Sequence, residues 1–249
     1  MNTVFIGHPG PYGDIIVCAP IAKEYADQGF EVYWPVRVEY LDLVSRFDYV
    51  TPIPLPEIKL VNQFGDREDK NMSDMLMGQS ICSQMLGTYL HVGDRFVDGK
   101  TPYATPLLHG ETHEEKKYRI SNVDFSNKYN LIWTRDPRKE NELYDMVVGK
   151  KPYIFAHIYG SQGDRGKVPS EETLPIVEAS VISGYNILDW FKVIQNAERI
   201  YCTESSFQAF VDGASRFISA ERFILPMHKG KHTTNHKTSE KYWNKKYLA

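Results

Sequence analysis

Apolar and polar positions follow two periods along the chain. Val4-Phe5-Ile6 is a short, wholly apolar run; the Gly/Pro loop Gly7 to Gly13 follows it, and then a helical stretch from Asp14 to about Gln28 that Gly29 is placed to end. A β-rich run, Phe30 to Trp34, leads into an amphipathic segment with Tyr40, Leu41, Val44 and Phe47 at helical spacing, and then into Tyr49 to Ile53. This order predicts βαβαβ with short connections, and the right-handed crossover rule makes it half of a doubly wound parallel sheet.

Residues 56 to 125 are less legible: the pattern predicts a helix around Asp74 to Leu86 and a polar Glu/Lys-rich segment from Glu111 to Arg119 to which it assigns no element. Pro137 to Gly149 reads as a helix with proline at its start and glycine at its end, and Lys150-Lys151-Pro152 then reads as a boundary. After it the rhythm restarts. Tyr153 to His157, Ile176 to Ala179 and Arg199 to Cys202 read as strands, Ile187 to Gln195 and Phe207 to Ala214 as helices, with a glycine-rich loop at Gly160 to Gly166 and a turn at Thr203 to Ser206. The expected fold class is α/β, with two Rossmann-like lobes, residues 1–150 and 151–249, facing a central cleft.

The composition allows this. With 249 residues, 42% hydrophobic and 24% charged, the chain is neither disordered nor collagen-like, and a pair of ~120-residue lobes fits its length. No apolar run is long enough to span a bilayer, and no basic region precedes the apolar start of the chain, so a soluble, cytoplasmic protein is expected. Cys18, Cys82 and Cys202 are far apart, with no CxxC pair, and read as buried thiols. The net charge of −3 is uneven: residues 1–150 hold 16 Lys+Arg against 22 Asp+Glu, and residues 151–249 hold 13 against 10. Positions 226–249 carry six lysines against Glu240 alone, with His228, His232 and His236 between them, a tail suited either to solvent or to phosphates and nucleic acid.

Ligands of open α/β sheets bind beyond the carboxyl ends of the strands, which selects three places. In the first loop the glycines are spaced Gly-x-x-Gly-x-x-Gly, which is neither a dinucleotide fingerprint nor a Walker A loop. Asp14, at the start of a helix, reads either as a cap or as a general base, with His8 as its companion or as an ordinary loop histidine. Thr203-Glu204-Ser205-Ser206, between a strand and a helix, reads as an N-cap or as a phosphate site. The loop from His157 to Lys167 reads as exposed surface or, through Arg165 and Lys167, as a partner for an anion. Metal chemistry has poor support because the histidines at 228, 232 and 236 have no acidic residue spaced to join them, and there is no GxSxG elbow for a serine hydrolase.

The stretch Gly13-Asp14-Ile15-Ile16-Val17-Cys18-Ala19-Pro20-Ile21-Ala22-Lys23-Glu24-Tyr25, with Gly29-Phe30-Glu31-Val32 after it, resembles the amino-terminal lobe of the lipopolysaccharide heptosyltransferases and their small relatives of GT-B fold. Leu188 to Glu198 with Ile200 to Phe207 resembles the helix, strand and donor-phosphate motif of the same family. The likeness implies an inverting, metal-independent glycosyltransferase that uses a nucleoside-diphosphate sugar as co-substrate and no cofactor. Asp14, with His8 beside it, would deprotonate the acceptor hydroxyl, and Gly10, Tyr12 and Gly13 would line the acceptor side. His157, Arg165, Lys167, Glu178, Glu204, Ser205 and Ser206 would hold the donor. The stretch from Tyr242 to Tyr247 would be the last helix, packing back on the first lobe. Two departures are Glu204 where the family has Asp, and Gln208-Ala209 where a histidine is common. A glycan or other saccharide is the implied acceptor; the basic tail keeps a hydroxymethylated base of viral DNA as a second, since viral DNA-base glucosyltransferases also use GT-B architecture. A non-catalytic nucleotide-sugar binding protein and a two-lobed sugar-nucleotide epimerase are the alternatives.

Overall fold

The computed structural model describes residues 2–8, 11–55, 88–91 (backbone), 107–160, 165–225 and 242–244. The expected helix at 74–86, Cys82, Gly10 and the basic tail at 226–241 lie outside the described residues. The chain divides into two compact units, residues 1–128 with 132–134, and residues 129–131 with 135–249.

The first unit is built on the strands β1 (Thr3–Gly7), β2 (Glu31–Arg37), β3 (Thr51–Leu55) and β4 (Thr88–His91), all parallel in the order β3-β2-β1-β4. Val4 pairs with Val32 and with Thr88, which places β1 inside the sheet. There both faces are covered, the reason its sequence is apolar without alternation. Helix α1 (Tyr12–Asp27) buries eight consecutive residues, Ile15 to Ala22. Pro20 has no N–H to give this helix, and two tyrosine hydroxyls reach carbonyls of the turn around it, Tyr118 to Val17 at 3.0 Å and Tyr49 to Ala19 at 3.3 Å. Gly29, at φ +85°, ends α1 in a Schellman motif: its N–H reaches Ala26, that of Phe30 reaches Tyr25, and the Tyr25 and Phe30 rings meet edge-on at 5.4 Å. The amphipathic segment after β2 is a 3-10 turn, Val38–Tyr40, running into the short helix α2 (Leu41–Val44).

The Glu/Lys-rich segment is helix α3 (His113–Ile120). Thr112 caps it in a reciprocal box with Glu115, and Glu114, Lys116, Lys117 and Tyr118 are buried. Charges lie inside because they are paired: Lys128 Nζ donates to Glu114 at 2.6 Å, and Lys117 Nζ to Asp14 at 2.6 Å.

Helix α4 (Pro137–Val147) starts where the proline predicts, with Asp136 accepting from the N–H groups of Arg138 and Lys139, and its last residue is Val147 rather than Gly149. It belongs to the second unit, so the division falls at residues 129–135 and not near residue 150. The physical reason is packing: Arg135 lies 4.6 Å over the Phe191 ring and Lys192 lies 4.5 Å over that of Tyr144.

The second sheet has the order β6-β5-β7-β8, all parallel, from β5 (Ile154–His157), β6 (Ile176–Glu178), β7 (Arg199–Cys202) and β8 (Glu221–Ile224). A 3-10 turn, Ile187–Trp190, continues into α5 (Phe191–Gln195), and α6 (Ser206–Gly213) follows β7. Phe155, Trp190 and Phe207 pack as an aromatic cluster on this sheet, with Tyr201 stacked on Phe223 at 4.8 Å. Tyr242 to Asn244, expected as the start of a helix, instead run beside β8: Asn244 donates to the carbonyl of Arg222 at 2.7 Å, and Trp243 Nε1 to the buried Asp212 at 2.6 Å. The indole N–H needs an acceptor once buried, and Asp212 supplies it inside the second unit. Cys18 and Cys202 are buried, and burial pushes the Cys202 thiol far above its ordinary range. Among the described residues no helix is long and apolar enough to cross a membrane.

Candidate functional site

In a parallel sheet every strand delivers its carboxyl end to one edge, so each unit collects its strand-to-helix loops on one side. In the first unit β1 ends at Gly7 and His8 follows, buried, its carbonyl accepting from Trp34 Nε1 at 2.7 Å. That bond fixes the loop on the neighbouring strand. The N-cap of α1 is Pro11, so Asp14 is the third helical residue, in the first turn where the dipole favours a carboxylate. Its Oδ1 accepts from Lys117 Nζ at 2.6 Å, and its Oδ2 stands 3.9 Å from His8 Nε2. The Asp14 side chain keeps 26% of its surface exposed, whereas that of Lys117 keeps 2%. Gly13 is the second residue of the helix and Tyr12 the first. The Tyr12 ring is exposed and meets Tyr40 edge-on at 4.9 Å.

In the second unit His157 ends β5, and Ser205, after β7, is the N-cap of α6. The register pairs His157 with Cys202, which carries the turn Thr203 to Ser206 to the same edge. His157 Nδ1 is 2.9 Å from Ser205 Oγ, and the imidazole lies against the Phe207 ring with centroids 4.7 Å apart. Ser205 Oγ also accepts from the N–H of Gln208 at 3.4 Å, so its own proton can go to Nδ1, in the tautomer that carries the ring proton on Nε2. Burial pushes the His157 imidazole down from 6.5 to about 4, which keeps it neutral near pH 7. Ser206 opens α6, whose first N–H groups have no partner within the helix.

The glycine-rich loop returns to this edge through Gly166. Its N–H donates to the carbonyl of Ile158 at 2.7 Å, and a Cβ at this position would come within 2.8 Å of Thr203 Cγ2 and 3.0 Å of Leu225 Cβ. Only glycine admits so close an approach, and it holds Arg165 and Lys167 next to the Thr203 turn. Both cations are exposed; the Arg165 guanidinium lies 5.4 Å over the Tyr159 ring and 4.0 Å from the carboxylate of Glu178 at the end of β6. Glu204 is buried.

The structure thus brings His157 to Ser205, Arg165 to Glu178, and Asp14 near His8. Gly10 lies outside the described residues, as do His228, His232 and His236. Among the described residues no three His, Cys, Asp or Glu side chains gather as metal ligands would. Sequence reasoning missed Lys117, which is 103 positions from Asp14 in the polar Glu/Lys-rich segment to which the pattern assigns no element. It also missed Tyr40 beside Tyr12, for which the helical spacing of Tyr40 indicated only a packed face.

Burial of His157 as the neutral form makes stability depend on pH. The folded value, about 4, lies below the unfolded 6.5, so the unfolded chain takes up the proton first. The contribution is fully present above pH 6.5 and is lost as the pH falls from there towards 4, about 3 kcal/mol in all. Urea unfolding at pH 7 and pH 5 is expected to show about 2 kcal/mol of this loss in the native chain and less in His157→Asn; an equal loss in the two would refute the assignment.

No family model matches the chain, and no curated protein matches it in sequence. Its structure is similar to those of a family 9 glycosyl transferase from Veillonella parvula (TM-score 0.56, 9% identity, covering 90% of this chain and 80% of that one) and of the E. coli ADP-heptose LPS heptosyltransferase II (0.51, 12%, 90% and 84%). A third similar structure is the iron-containing dodecameric glycosyltransferase TibC of enterotoxigenic E. coli (0.50, 10%, 90% and 58%). At these identities the likeness is one of fold.

Proposed function

We propose that this chain is a glycosyltransferase of GT-B type that moves a sugar from a nucleoside-diphosphate sugar to a saccharide hydroxyl, with inversion and without a catalytic metal. The observation that carries the reading is the carboxyl edge of each sheet: one presents a partly exposed carboxylate, Asp14, and the other the start of α6, capped by Ser205, with Arg165 and Lys167 exposed on the neighbouring loop. The fold shared with the family 9 glycosyl transferase and the heptosyltransferase supports it. In the reaction Asp14 Oδ2 takes the proton of the acceptor hydroxyl, the acceptor oxygen bonds to the anomeric carbon, and the bond from that carbon to the phosphate oxygen breaks. The leaving diphosphate carries away the electron pair, and the α6 N–H groups, Ser206, Arg165 and Lys167 take up its charge. His157, neutral and held through Nδ1, offers Nε2–H to the donor. Tyr12 and Tyr40 give the acceptor an aromatic wall. The neighbours offer no support for a DNA acceptor, and the tail that suggested one is outside the described residues.

A thermal-shift screen of UDP, GDP, ADP, CMP and dTDP with their sugar conjugates tests the donor site. One nucleoside diphosphate and its sugar are expected to stabilise the chain, by about 2.7 kcal/mol at 100 times the dissociation constant. No shift with any of them would overturn the reading, and conversion of the sugar nucleotide without acceptor would favour an epimerase.

A further inference from the structure

Lys116, Lys117 and Lys128 are all buried in the first unit, and the carboxylate partners of the last two differ. In the Lys128–Glu114 pair both side chains are shielded, 2% and 8% exposed. In the Lys117–Asp14 pair the ammonium is equally shielded, at 2%, but the carboxylate is 26% exposed. Desolvating an ammonium is costly, and an apolar side chain of similar volume usually replaces a buried pair without loss. A lysine spent on holding one oxygen of a carboxylate that keeps about a quarter of its surface exposed acts on that carboxylate.

We infer that Lys117 is the positioning residue of the transfer reaction: its ammonium holds Oδ1 of Asp14, so that Oδ2 is the oxygen presented to the acceptor hydroxyl. This rests on the reading of Asp14 as the base. An aspartate can rotate about two side-chain bonds, and a 2.6 Å charge-assisted hydrogen bond removes most of that freedom. The lysine is itself fixed, because α3 is tied to α1 at several levels. Tyr118 donates to the carbonyl of Val17 at 3.0 Å, Tyr25 to that of Ser121 at 2.9 Å, and Ser121 Oγ closes back on the carbonyl of Lys117 at 2.7 Å. A base held by rigid elements pays less to reach the reactive geometry than one on a loop.

The ammonium also favours the ionised carboxylate. Facing Asp14 are Lys117 from α3 and His8 from the β1–α1 loop, with the positive end of α1 beneath it; farther along α3, Glu114 is engaged by Lys128. Removing Lys117 therefore moves the acid limb of the pH profile upward, an effect that a purely structural lysine would lack.

The test is kcat and KM for transfer against pH in the native chain, Lys117→Met, Lys117→Arg and Asp14→Asn, with the donor found by the nucleotide screen. For Lys117→Met we expect kcat to fall about 10- to 100-fold at unchanged donor KM, with the acid limb of kcat/KM displaced upward by about 1–3 pH units. Lys117→Arg should return the limb to its native place. Should Lys117→Met not fold, Lys117→Gln, which keeps a donor without the charge, serves for the same limb. A native kcat and native limb in the methionine or glutamine variant, with Asp14→Asn inactive, would overturn the inference alone. An active Asp14→Asn would overturn the reading of Asp14 on which it rests.

Discussion

Replacing Asp14 by asparagine is expected to lower kcat about 10²- to 10⁴-fold, the range that a positioned general base supplies, while donor binding survives. The amide is nearly isosteric with the carboxylate, and its oxygen can still accept from Lys117 Nζ, now 2.6 Å from Oδ1. What it cannot do is take a proton. Thermal shift with the donor nucleotide, measured on the same preparation, separates the outcomes: retained binding with lost turnover supports the base, and native turnover refutes it. The substitution also leaves the Lys117 ammonium without its counter-charge, so a lower melting temperature is expected alongside. Asparagine is preferred to alanine here because it keeps the hydrogen bond and limits that cost.

The largest effect on stability is expected at Asp212. It is fully buried on α6, where its carboxylate accepts from Trp243 Nε1 at 2.6 Å and from Gln208 Nε2 at 2.5 Å. It also attracts the buried Arg222 guanidinium, which burial alone pushes towards the neutral form. Arg222 Nη2 donates to the carbonyls of Ser215 and Ile218, at 3.0 and 2.7 Å, but these carry no full charge. Asp212→Ala therefore strands a buried cation and removes the acceptor of two buried N–H donors, for a loss of about 3–5 kcal/mol. Urea unfolding followed by tryptophan fluorescence would measure it, since Trp243 sits on the pair. A loss below about 1 kcal/mol would mean that the carboxylate is not what holds residues 242–244 to the sheet. The same helix begins at the Ser205–His157 contact, so weakened donor binding should accompany the loss.

The parts of the fold that could be read from the chain are those set by local rules. Val4 to Ile6 and Tyr153 to His157 are apolar runs because parallel strands are covered on both faces, and Gly29 marks the end of α1 because the Schellman turn needs a positive φ there. β8 was not legible: Glu221-Arg222-Phe223-Ile224 opens with two charges, and Arg222 is buried only because Ser215, Ile218 and Asp212 surround it. The strand Thr88–His91 was equally hidden, being too short for its period to register. In the candidate site, the placement of His8, Asp14, His157 and Ser205 at strand ends and helix starts follows from the strand–loop–helix order. The partners of these residues do not.

The α/β class, the parallel order of elements, and the loops that a parallel sheet must deliver to its carboxyl edge are all written in the local pattern of the chain. All of these depend on residues within a few positions of one another, through periodicity, capping and turn chemistry. The burial of Lys117 and Lys128, the press of the Gly166 loop against Thr203 and the fastening of Trp243 by Asp212 arise only when distant segments pack. These contacts join positions up to 103 residues apart, and a buried charge looks the same in a sequence as an exposed one until its partner is known.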